Sequence, residues 1–90
     1  MTTLYETHRL THRELRNKKC LEPLKDYMLE VIASEDYDGL NEPIIIKIHV
    51  ILSEIFPGIQ VCAFKERNNL IIDFIFREPE QKTLFYLLYN

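Results

Sequence analysis

His8 and His12 stand four residues apart, the separation at which two imidazoles on one helical face hold a zinc ion. A helix-start signal falls between them. Thr11 and Glu14 have the spacing of a capping box, and Leu10 and Leu15 occupy the two positions of a hydrophobic staple, so a helix begins at Thr11 and leaves His8 outside it. Zinc also needs further His or Cys ligands, and Glu6 does not complete the set. His49 lies among the isoleucines of the Ile44 to Phe56 stretch and reads as a core or interface histidine held by a hydrogen-bond partner. Asp73, between Ile72 and Phe74, has Lys65, Glu66 and Glu54 as conceivable companions for metal-dependent nuclease chemistry, but their spacing matches no such motif. A charge there is expected to keep a sheet edge from pairing. With only Gly39 and Gly58, there is no glycine-rich phosphate loop. These residues predict neither a catalytic centre nor a metal or cofactor site.

Charge placement carries more information. From Met1 to Lys19, Arg9, Arg13, Arg16, Lys18 and Lys19 face only Glu6 and Glu14; from Cys20 to Glu42, Lys25 stands against seven acids; the remainder balances. Separate basic and acidic zones on so small a chain can steer a partner electrostatically. The basic zone suggests a nucleic-acid contact through Arg9, Arg13, Arg16, Lys18 and Lys19, since phosphate neutralisation supplies most non-specific affinity. Against it stand a sequence pI near 5.6 and the lack of interleaved aromatics beyond Tyr5. In the acidic zone, Asp36, Asp38 and Glu42 have the residue types of a calcium loop but not the EF-hand spacing. Glu35, Asp36, Asp38 and Glu42 instead suit a partner protein with a basic groove, where exposed carboxylates take the place of nucleic-acid phosphates.

The elements that must position these residues follow from breakers and periodicity. Pro23 stops or kinks the first helix near Cys20 to Glu22 and opens a second, in which Leu24, Met28, Val31 and Ile32 recur at helical spacing. Ser34 to Glu42 is an exposed loop. Asn41 as N-cap, Pro43 in the first turn and the Pro57-Gly58 breaker outline a third helix, although the β-branched run also leaves residues 44–52 open to a strand. Alternation then takes over: Ile59, Val61 and Ala63 lead to a turn at Asn68 and Asn69, and Leu70 to Phe76 returns, giving a hairpin. Pro79 starts a last helix with Leu84, Leu87 and Leu88 as its inward stripe, which leaves Phe85, Tyr86 and Tyr89 as an assembly surface for a homodimer.

The predicted fold is therefore a small α+β domain spanning residues 1–90, in the order α-α-α-β-β-α, with helices packed on an antiparallel β-hairpin and residues 1–10 as a flexible arm. Its 90 residues are 47% hydrophobic with a formal net charge of -3, a composition that excludes intrinsic disorder. Met1 to Lys19 lacks the apolar run of a secretory signal and no stretch is long enough to span a bilayer, so a cytoplasmic, membrane-free protein is expected. Cys20 and Cys62 are expected to be reduced thiols that only pack. The function this implies is protein binding, as an inhibitor or adaptor of viral or mobile-element type, with nucleic-acid regulation through the basic helix as the alternative.

Overall fold

The computed structural model describes residues 6–67 and 69–89. Its elements run β1 (Glu6–Arg9), α1 (His12–Asn17), a 3-10 turn (Lys19–Leu21), α2 (Glu22–Ala33), α3 (Glu42–Ile55), β2 (Gln60–Glu66), β3 (Asn69–Phe76) and α4 (Pro79–Tyr89). Helices cover one face of a three-stranded antiparallel sheet of order β1-β3-β2. The predicted α+β class and the hairpin are thus present, with one strand added ahead of the first helix. No helix among the described residues is long and apolar enough to cross a membrane.

The added strand overturns part of the flexible-arm expectation; residues 1–5 of that arm lie outside the described residues. Glu6–Arg9 is too polar to announce a strand by alternation. It is drawn out by β3, against which Glu6 pairs with Phe76 and Arg9 with Asp73, while the Leu10 amide donates to the Ile72 carbonyl at 2.9 Å. This makes β3 the central strand, so Asp73 does not guard a sheet edge as predicted.

The local signals of helix initiation are present as predicted. The Glu14 amide donates to Thr11 Oγ1 at 3.2 Å and the Thr11 amide to Glu14 Oε2 at 3.5 Å, closing the capping box. The first helix ends at Asn17, sooner than expected, because Lys18 turns extended before the chain winds into the 3-10 turn. Asn41 caps α3 by accepting from the Ile44 amide at 3.2 Å, which settles residues 44–52 as helix. The β2–β3 turn closes between Glu66 and Asn69, and Arg67 takes a φ of 58°. Asn69 therefore belongs to β3 rather than to the tip, and Asn68 lies outside the described residues.

One core joins all of this. Ile72, Phe74 and Phe76 point from β3 toward the helices, where Phe56 and Phe85 meet Phe74 at ring-centroid distances of 5.0 and 4.7 Å. Here α4 departs from expectation. Phe85 and Tyr89 are buried, Leu84 and Leu87 are exposed, and only Leu88 of the expected inward stripe packs against the core. Both stripes have helical periodicity. The aromatic one turns inward because a ring buries more apolar area than a leucine and, at Phe85, finds tilted contacts with Phe56, Phe74 and Phe76.

Candidate interaction surface

The fully buried side chains of the helical pair stop at Leu24 on α2 and begin at Ile48 on α3, while Met28 and Ile44 pack only partly against the core. The turns beyond them form a projecting arm. The molecule is long, 49 × 27 × 20 Å, with a radius of gyration of 13.8 Å, against about 12 Å for a compact chain of this length. Leu29 and Ile32 on α2 are 58% and 55% exposed, and Ile46 and Val50 on α3 are 56% and 44% exposed. Each pair is spaced to share a helical face. Ile32, expected in the inward stripe of α2, thus belongs to the outside.

Glu35, Asp36, Asp38 and Glu42 are all exposed at the tip of the arm, as the loop composition predicts. The tip is locally shaped. The Asp36 amide donates to Ser34 Oγ at 3.3 Å, the Tyr37 amide to the Ser34 carbonyl at 3.2 Å, and Gly39 takes a φ of +93° that L side chains rarely adopt. Among the described residues, none of the four acids pairs with a cation. Tyr37 adds a half-exposed ring beside them.

The basic zone lies at the other end of α2, on α1 and the 3-10 turn. Of its five members, Arg9 is committed within the sheet: its Nε and Nη2 donate to Asp73 Oδ1 and Oδ2 at 2.8 and 3.1 Å. The Lys18 ammonium sits 4.5 Å from the centre of the Tyr89 ring. Arg13, Arg16 and Lys19 remain exposed. Arg9 is thus separated from the other members of the predicted nucleic-acid contact, because it belongs to β1 and points with Asp73 to the uncovered side of the sheet.

A polar cluster that sequence spacing does not reveal ties the sheet to α1 and α4. His8 Nε2 lies 3.0 Å from Glu14 Oε2, and His8 Nδ1 lies 3.4 Å from the Tyr86 hydroxyl. Burial works to raise the Glu14 carboxyl, but Tyr89, His8 and the Thr11 amide together hold it below the ordinary carboxylate range. The Tyr89 hydroxyl is buried close enough to Glu14 to bias its charge, yet the geometry falls short of a hydrogen bond. Burial first, then the Glu14 carboxylate, pushes the Tyr89 phenol up. The cluster cross-links three elements: His8 on β1, Glu14 on α1, Tyr86 and Tyr89 on α4. The only sequence trace of it is the cap residue Glu14 doing double duty.

His49 Nε2 lies 2.7 Å from the Val61 carbonyl, linking α3 to β2. His8 and His12 sit on different elements, and no group of three His, Cys, Asp or Glu residues among the described residues is placed to hold a metal ion. Cys20 is half-buried and its thiol donates to the Tyr89 carbonyl at 3.2 Å, whereas Cys62 is exposed, contrary to the expectation that both thiols only pack. On α4, Tyr86 is exposed as predicted, but Phe85 and Tyr89 are withdrawn from the expected assembly surface, and Leu84 and Leu87 take their place outside. No family model matches this chain, and no curated protein or solved structure matches it either.

Proposed function

We propose that this chain is a protein-binding module of the inhibitor or adaptor kind, and that it presents the α2–α3 arm to a partner with a basic, apolar-lined groove. One observation carries this reading: the arm joins Leu29, Ile32, Ile46 and Val50, each close to half exposed or more, to a tip of four solvent-facing carboxylates. Apolar contact excludes water and supplies affinity, while the carboxylates orient the approach and speed encounter. The fold supports such a role because the arm is anchored at its root by Leu21, Leu24, Ile48 and Leu52, so it need not be ordered on binding.

The test uses a defined probe, a synthetic amphipathic helical peptide of Lys and Leu, titrated calorimetrically into the protein. Binding is expected to weaken with salt, to fall in Asp36→Lys/Asp38→Lys, and to fall in Leu29→Ser/Ile46→Ser. Affinity unchanged in both double variants overturns the proposal. The nucleic-acid alternative rests on Arg13, Arg16 and Lys19 alone; retention of DNA or RNA in a gel shift at about 50 mM salt, lost in Arg13→Ala/Arg16→Ala, would favour it instead.

A further inference from the structure

The basic surface that the arm requires has a counterpart on the chain itself, in the cations at the root of α2, and from this we infer that a second copy of the protein occupies the arm, laid antiparallel so that each acidic tip meets the other's basic root. The inference rests on the arm being the binding surface, and it names the partner. At the root, Arg13, Arg16 and Lys19 are exposed and Lys25 is half-buried on the first turns of α2; at the tip, Glu35, Asp36, Asp38 and Glu42 are exposed. The two groups are separated by α2, whose 12 residues span about 18 Å.

Symmetry decides the orientation. In a two-fold pair every contact is made twice, so an antiparallel arrangement gives two acid-to-base contacts, one at each end. A parallel arrangement sets four carboxylates against four. Between the charged ends lie Leu29 and Ile32 in the last turns of α2 and Ile46 and Val50 in the first half of α3, apolar surface that the second copy covers when the pair closes as a four-helix bundle. The lengths suit this, with 12 residues in α2 and 14 in α3. A heterologous partner with a basic groove then competes with the second copy for one surface, which makes capture depend on the concentration of the protein itself.

Sedimentation equilibrium on the full chain tests the pairing, with folding of every variant checked by circular dichroism. Wild type is expected to dimerise at micromolar concentration. Asp36→Lys/Asp38→Lys and Arg16→Glu/Lys19→Glu are each expected to weaken the dimer tenfold or more, because each sets like charge against like. Mixing the two reversed chains restores dimers, since the basic tip of one then meets the acidic root of the other. A wild-type monomer at high micromolar concentration, a dimer indifferent to both reversals, or a mixture that stays monomeric each overturns the inference. If the monomeric wild type still binds the Lys and Leu peptide through the arm, the self-pairing fails while the binding module stands; loss of both removes the module as well.

Discussion

Phe85→Ala and Leu87→Ala, two residues apart on α4, should have opposite fates. Phe85 is fully buried and its ring lies 4.7 to 5.2 Å from the rings of Phe56, Phe74, Phe76 and Tyr89, so truncation removes the common partner of four aromatic side chains. A buried Phe→Ala change costs about 3 to 5 kcal/mol, against a total stability of about 5 to 13 kcal/mol for a domain of this size. At roughly 4 to 8 °C per kcal/mol, the thermal midpoint falls by about 12 °C at the least. Leu87 is 72% exposed, and its truncation should stay within about 0.5 kcal/mol. Thermal unfolding followed by circular dichroism reads both. Should Phe85→Ala not fold, Phe85→Leu keeps the comparison, because it still removes the ring contacts. If Leu87→Ala proves the more damaging, the Leu84, Leu87 and Leu88 stripe faces the core and the packing described for α4 is wrong.

Two further outcomes follow from the same geometry. Under native conditions a thiol reagent should modify Cys62 quickly and Cys20 slowly, because burial pushes the Cys20 thiol up and its proton is given to the Tyr89 carbonyl; a single fast phase counting both thiols would contradict this. Glu14→Gln keeps a capping-box side chain but removes the charge. Since the folded-state carboxyl of Glu14 lies below its ordinary value, its contribution is present above the ordinary carboxylate range and disappears as pH falls through the folded value. The variant should therefore be less stable than wild type at neutral pH and converge on it in acid, and denaturant titrations giving equal midpoints at neutral pH would refute the role assigned to the cluster.

The hairpin and the four helices are legible in the sequence because their signals are local. Thr11 and Asn41 cap what they were expected to cap, Pro23 opens α2, and the period-two run from Gln60 to Phe76 folds back on itself. What sequence reading missed is non-local. Glu6–Arg9 becomes a strand only because β3 offers a free edge and Asp73 a partner for Arg9, 64 positions away. The His8, Glu14, Tyr86 and Tyr89 cluster spans the whole chain for the same reason. On α4 the difficulty is different: six successive apolar or aromatic residues from Leu84 to Tyr89 present two helical stripes, and the choice between them is made by the rings of Phe56, Phe74 and Phe76. On the candidate surface, composition alone located the acidic tip. The apolar stripes behind it are exposed because full burial ends at Leu24 on α2 and at Ile48 on α3, a boundary the tertiary packing sets.

The proposed binding surface is the arm, not α1 or the uncovered sheet face where Arg9 pairs with Asp73. The most direct measurement is residue-by-residue mapping of amide chemical-shift changes as the Lys and Leu peptide is titrated into the labelled protein. Changes concentrated between Leu29 and Val50, absent in Asp36→Lys/Asp38→Lys, are the predicted result. Changes centred on Arg13, Arg16 and Lys19 or on β2 and β3, with the arm silent, would contradict it.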